Sequence, residues 1–366
     1  MTQKFFPGNN SARGFHSFFP DILYGYKYKF IIKGGPGTGK SSYMKKIADH
    51  LGQNYNKELY YCASDSTSLD AISFPEIKTI FVDGTHPHVI DPNLPAAGEY
   101  IIDLARYLDS EKLIPKKSKL EDIQDRVKSY YNIVYSYFVQ ANECLSRQYK
   151  LFNNQESTQN LNDLKTFLLE PLKETCHCKF KGKNNVFTKR SLFLRAFTPE
   201  GVVSFVKNLI QENTKIFLVE GNIKASEHLL KIIEEHATFC GHQVELYHHP
   251  FEPSILEGIR LPQLNIIYLS SKNYPEIYDL DKNIYYKASI PLENNNKTIL
   301  SFNKEELSNA INQQDSLISR GINYLAEMKK IREELELHYS SAQDFDGVEQ
   351  NRRKTLEKVK SLINHH

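Results

Sequence analysis

Two hydrophobic rhythms alternate along this chain. Short apolar runs end in Gly, Asp or Ser: "YKFIIK" (28–33), "ELYYCASD" (58–65) and "KTIFVDG" (78–84) in the first half, and "IFLVEG" (216–221) in the second. Runs of this length bounded by turn residues predict strands buried on both faces. Other stretches place apolar residues three and four apart. "SSYMKKIADHLG" (41–52) has Tyr43 or Met44, Ile47 and Leu51 on one face, with Gly52 as its stop. A capping box at Ser118 and Glu121 opens a long helix through Leu120, Ile123, Val127, Val134, Ala141 and Leu145, and "NLNDLKTFLLEPL" predicts a shorter partner ending at Pro171. The second half repeats this with a long helix from about 303 and a shorter one over 346–363.

The two rhythms repeat in step. A shift of 187 positions (6 to 193) pairs Phe6 with Phe193, Phe30 with Phe217, Gly34 with Gly221, Glu58-Leu59-Tyr60 with Glu245-Leu246-Tyr247, and Pro75 with Pro262. A repeat this long is a duplicated domain, since each copy can bury its own core. The pattern predicts an α/β fold of two tandem three-layer α/β/α domains, each with an appended helical hairpin. The first spans 1–187 with its hairpin at about 97–171; the second spans 188–366 with its hairpin at about 303–364, and the boundary falls in the polar stretch near 185–190.

Candidate chemistry sits between the first strand and helix. Gly34-Gly35-Pro36-Gly37-Thr38-Gly39-Lys40-Ser41 satisfies G-x-x-x-x-G-K-[ST], followed by Ser42. Glycines let the backbone wrap a phosphate, Lys40 supplies a point charge, and Ser41 with Asp83 at the end of its apolar run supplies oxygen to Mg²⁺. Gly84, where many ATPases carry a glutamate, leaves the water-orienting role to other groups. Candidates are Asp65, placed as a kinase base would be, and His86 or His88 after the Asp83 strand. In the second copy Lys40 faces Glu227 or Ser226 and Asp83 faces Ser270, a disarmed cradle. Arg190, Arg195 and Arg260 are candidates for an arginine finger reaching back to the first half.

Composition narrows the partners. A net charge of +2 argues against a dedicated nucleic-acid binder, and no apolar run reaches the length of a membrane span. Five cysteines without paired spacing and an N-terminus without a leader pattern predict a cytoplasmic protein. Cys176-His177-Cys178 lacks the second pair that a zinc site needs.

With "KFFPGNNSARGF", "FIIKGGPGTGKSSYMKKI", "CASDSTSLDAISFPEI" and "VDGTHPHVIDP" on the page, the chain resembles a bacterial family of tandem P-loop ATPases, closely over 4–95 and more loosely over 190–366. The resemblance implies ATP binding and names no acceptor. Three functions follow as expectations: an Mg-dependent ATPase active in the first copy only, a small-molecule phosphotransferase with Asp65 as base, or a nucleotide-sensing adaptor that shows its helical hairpins to a protein partner. The missing N-K-x-D element favours adenine.

Overall fold

The structure is a computed structural model that describes residues 1–151, 158–173, 175, 188–220, 223–280, 284–289 and 297–364. The chain is mixed α/β. Its first half runs β1 (Thr2–Phe5), β2 (Gly8–Ser11), β3 (Gly14–Ser17), α1 (Phe19–Leu23), β4 (Tyr28–Lys33), α2 (Lys40–Leu51), β5 (Lys57–Cys62), β6 (Asp65–Phe74), β7 (Thr79–Asp83), β8 (Glu99–Asp103), α3 (Ser110–Leu113), α4 (Lys117–Leu151) and α5 (Thr158–Lys173). The second runs β9 (Lys189–Leu192), β10 (Arg195–Thr198), β11 (Gly201–Ser204), β12 (Lys215–Glu220), α6 (Ile223–Phe239), β13 (Val244–His248), β14 (Leu256–Leu261), β15 (Ile266–Ser270), β16 (Ile284–Ser289), α7 (Lys297–Ser340) and α8 (Phe345–Asn364).

Two six-stranded sheets carry the molecule, ordered β1-β5-β6-β7-β4-β8 and β9-β13-β14-β15-β12-β16. Both are mixed. β6 runs antiparallel between β5 and β7, and β14 does so between β13 and β15, while the remaining pairs are parallel. The registers coincide at an offset of 187 (28 to 215, 79 to 266): Tyr28 pairs with Thr79 as Lys215 does with Ile266, and Phe5 with Tyr60 as Leu192 does with Tyr247.

Strand alternation explains the continuous apolar runs. Phe30 and Ile32 point to one face of the first sheet, where Tyr43, Met44 and Ile47 of α2 cover them, and Ile31 points to the other. That other face has no helical layer of its own half's long helices. Ile31, Ile80 and Val82 instead share one core with Ile216, Leu218, Ile267 and Leu269 of the second sheet. The expected separate three-layer domains are thus corrected: each sheet is open toward its counterpart, because both of its faces are apolar and only one is covered by α2 or α6. Phe6 and Phe193 mark the junction, each donating its N–H to the other's carbonyl at 2.9 and 3.1 Å.

The hairpins also differ from expectation. α4 and α7 lie antiparallel, with Lys119 3.3 Å from Glu334 near one end and Gln148 donating to Gln314 at 2.6 Å near the other. Gly321 permits their approach, since a Cβ there would meet the Phe138 ring at 2.4 Å. Beyond this pair the short helices cross over. Leu168 and Leu172 of α5 pack into the second half's core beside Leu229 and Ile233 of α6, while Val348, Leu356 and Val359 of α8 pack into the first half's core on α2. Pro171, expected as a terminus, lies inside α5. The boundary stretch falls partly, and Cys176-His177-Cys178 wholly, outside the described residues, among which Cys62 and Cys144 are free thiols.

A charge network is buried in the junction. The Arg190 guanidinium, 2% exposed, holds Glu58 and Glu245 at 2.6 Å each. Arg260 adds a contact to Glu245 at 3.1 Å, Tyr60 and Ser73 donate to Glu58, and Tyr247 donates to Glu245. Burial alone would raise both carboxyls, but Arg190 outweighs it and holds them below the ordinary range. Removing Arg190 strands two buried anions, so Arg190→Ala should lower stability by about 3–5 kcal/mol. A folded-state pKa below the unfolded value stabilises above about pH 4.3 and is lost as pH falls toward the folded value. The melting temperature of the parent chain should therefore fall steeply below that pH, and it should fall less steeply in Arg190→Ala.

Candidate functional site

Six residues, Gly34 to Gly39, join β4 to α2. Gly37 and Gly39 sit at φ +71° and +87°, where a side chain is strained, and Gly39 caps α2 without any side-chain acceptor at the helix start. The loop is braced from within. Thr38 Oγ1 donates to the Gly35 carbonyl at 2.8 Å, and Lys40 Nζ donates to the carbonyls of Gly34 and Gly35 at 2.5 and 3.0 Å. Backbone N–H groups at an uncapped helix start, with a lysine folded over them, are the donor set of an anion site.

β7 lies parallel beside β4 and ends at Asp83, whose Oδ2 is 3.5 Å from Lys40 Nζ. Its Oδ1 accepts from Thr85 N at 2.9 Å and Thr85 Oγ1 at 2.6 Å, which fixes the carboxylate. Ser41, one residue into α2, accepts from Leu69 N through Oγ at 3.0 Å, so its hydroxyl faces β6 near the same strand ends. Ser42 is exposed. Glycine backbone, Lys40, Ser41 and Asp83 are therefore together, as the octet predicts.

Asp65 is not with them. It opens β6 after a two-residue turn instead of ending β5, and its carboxylate is occupied by Thr67, Ser68 and Lys329 of α7 at 2.9, 2.5 and 3.1 Å. Burial pulls its pKa up, but the hydrogen bonds from Ser68, Lys329 and Thr67 outweigh that and hold it at about 2, a weak base. The physical reason is local. β5 and β6 form a hairpin, so the residue read as a strand end is a turn neighbour that fills its hydrogen bonds at once.

His86 is exposed and His88 is buried. The chain turns back after β7, with His88 N–H donating to the Thr85 carbonyl at 3.0 Å, and brings the His88 ring against Phe19 at 4.3 Å and 10°. Burial drives its pKa down to about 4, leaving a neutral imidazole at neutral pH. Beside it lies Asp70 of β6, absent from the expected set because β6 itself was not recognised as a strand. Burial first, and then the Asp83 charge, push Asp70 up to about 7. The signal for Asp70 is its place in "SLDAISF", a carboxylate among apolar strand residues, where burial without purpose is costly.

The three expected arginines are elsewhere. Arg190 and Arg260 serve the junction network, and Arg195 pairs with Glu257 at 2.6 Å. The guanidinium whose charge acts on both Asp70 and His88 is Arg332 of α7. The second half also supplies the cover of the loop. A Cβ on Gly37 would lie 2.3 Å from the Glu336 carbonyl, Gly35 faces the Tyr339 ring, Gly39 faces Phe345, and Gln343 Nε2 donates to the Leu104 carbonyl at 3.0 Å.

The corresponding position in the second half is built differently. β12 ends at Glu220 and α6 begins at Ile223, where the first half spends six residues on a loop. Ser226, Glu227 and His228 are helical, and Glu227 bonds Tyr149 at 3.2 Å and Lys231 at 2.6 Å. Without the glycines, Lys224-Ala225-Ser226-Glu227 continues the helix.

No family model, curated protein or solved structure matches the chain.

Gly37→Ala should cost about 1–3 kcal/mol through positive φ and should also push the α7–α8 corner off the loop. Amide exchange over 337–348 should accelerate. Gly14→Ala has the same backbone penalty at φ +91° with no neighbour within 4 Å. Exchange at the corner should be unchanged there.

Proposed function

We propose that the chain binds ATP with Mg²⁺ in the Gly34–Ser41 loop and hydrolyses it, in the first half alone. The observation that carries this reading is the convergence of a positive-φ glycine loop, an uncapped helix start, Lys40 and Asp83, with Lys40 Nζ and Asp83 Oδ2 3.5 Å apart. Backbone amides would hold the phosphates, Lys40 would turn from the Gly34 and Gly35 carbonyls to the phosphate oxygens, and Ser41 and Asp83 are the residues to hold the metal. Bound Mg²⁺ would neutralise charge that develops on the phosphoryl oxygens.

The common register at an offset of 187 supports an origin of the P-loop-like halves by tandem duplication, as the family resemblance implies. The start of α6 at Ile223, with two residues between it and β12 where the first half has six between strand and helix, supports a single nucleotide site. Phosphotransfer with Asp65 as base has no geometric support, since Lys329 and the Thr67–Ser68 turn occupy that carboxylate. Display of the hairpins to a protein partner is also weakened, because α4 and α7 spend their apolar faces on one another. A switching role has one specific observation behind it. Glu336, Tyr339 and Phe345 of the second half abut the loop glycines, so a phosphate that reshapes the loop is felt by α7 and α8.

Calorimetry of the full chain with ATP and Mg²⁺ should find one site per chain. Lys40→Ala should weaken it by about a hundredfold, as loss of charge-assisted bonds to phosphate requires, while Asp65→Asn should retain substrate-free turnover. Binding unaffected by Lys40→Ala would refute the assignment.

A further inference from the structure

The Asp83 carboxylate has two neighbours that the nucleotide reading does not use. Asp70, 6% exposed, and His88, 9% exposed, bring one carboxylate oxygen and one ring nitrogen to it, and donor atoms from all three residues lie within 4.8 Å of one another. Neither ring nitrogen of His88 has a hydrogen-bond partner, although both are buried. A neutral imidazole with both nitrogens unpaired forfeits a hydrogen bond it would make in water, a cost that a ligand bond would remove. Its orientation is fixed by stacking on Phe19 at 4.3 Å.

We propose that Asp70, Asp83 and His88 form a binding site for a first-row transition-metal dication of the Co²⁺ and Zn²⁺ class, beside the phosphate loop. Ligands on one such ion at about 2.0–2.2 Å stand about 3–4.4 Å from each other, so small side-chain rotations close the cluster. One imidazole and two carboxylates match the donor preference of these ions, whereas Mg²⁺ favours oxygen alone and keeps its waters. Three protein ligands leave positions open for water or a phosphate oxygen.

Lys40 sets the condition for occupancy. Its ammonium stands 3.5 Å from Asp83 Oδ2 and competes with a cation for that oxygen. In the counterpart half the set is broken: Asp83 corresponds to Ser270, at the end of β15, and His88 to Pro275 at the same offset. The proposal shares Asp83 with the nucleotide reading, and a titration without nucleotide tests it apart from that reading.

Titration of the metal-stripped full chain with Co²⁺, without nucleotide, tests it by visible absorption. One saturable site is expected, displaced by Zn²⁺ and retained in large excess Mg²⁺. His88→Ala and Asp70→Asn should each weaken it by about tenfold to a hundredfold or more, the range that even outer-shell partners command. Lys40→Ala should bind ATP about a hundredfold more weakly yet bind Co²⁺ as tightly as the parent or tighter. If a variant folds poorly, His88→Gln replaces it, and the rise in Tm with added Co²⁺ seen for the parent should be absent. No saturable binding, ready displacement by Mg²⁺, Co²⁺ affinity that survives both His88→Ala and Asp70→Asn, or its loss in Lys40→Ala would each overturn the site.

Discussion

A guanidinium with 2% exposure cannot sit in a protein interior unless carboxylates come with it, and Arg190 draws one from each half, Glu58 and Glu245. This requirement makes the two sheets a single folding problem. Their inner faces are apolar and uncovered by the long helices, and the charge at the junction is satisfied only when they meet. Once they meet, the antiparallel pairing of α4 with α7 and the crossing of α5 and α8 follow, because each short helix then reaches the outer core of the opposite sheet. The glycine loop of the first half is consequently roofed by the end of α7 and the start of α8.

Much of this was legible in the sequence where a signal is local. The apolar runs located β4, β7 and β12, the three-four spacing located α2, α4, α7 and α8, and the offset of 187 aligned strands whose registers coincide. What stayed hidden depends on distant chain segments. β6 was missed because "DSTSLDAISF" begins polar and carries Asp70 in its middle, so its pattern reads as a loop until a neighbouring strand on each side is supplied. The exchange of α5 and α8 was hidden because an amphipathic helix announces that it has a partner without saying which one. Pro171 misled as a stop by only a short distance, since α5 continues two residues past it to Lys173.

The candidate site divides along the same line. Gly34 to Ser41 and Asp83 are fixed by their own strands and helix, and they came together as their spacing implied. Asp65, His86 and the three arginines were chosen by position along the chain, and each is diverted by an interaction at short range: a turn, an exposed loop corner, or a nearer carboxylate. The structure instead brings His88 to Asp70 and Asp83, with the charge of Arg332 acting on Asp70 and His88. Arg332 had no local signal, for it reaches the site from more than two hundred residues away on a helix whose pattern reports only its buried stripe.

The asymmetry of the halves then has a structural logic. If the second half were merely a spent copy, its loss would leave the first half intact. The geometry forbids that: α8 covers the outer face of α2 through Val348, Leu356 and Val359, Tyr43 rests its hydroxyl 2.7 Å from Thr355, and Lys329 neutralises Asp65. In return α4 meets the start of α6, where Tyr149 bonds Glu227. α6 begins about one helical turn earlier than the position aligned with the start of α2, and this leaves the second half's contribution to the first half untouched, since that contribution is made by α7 and α8. The contacts that α7 and α8 make with the glycine loop of the first half therefore do not depend on the segment that precedes α6.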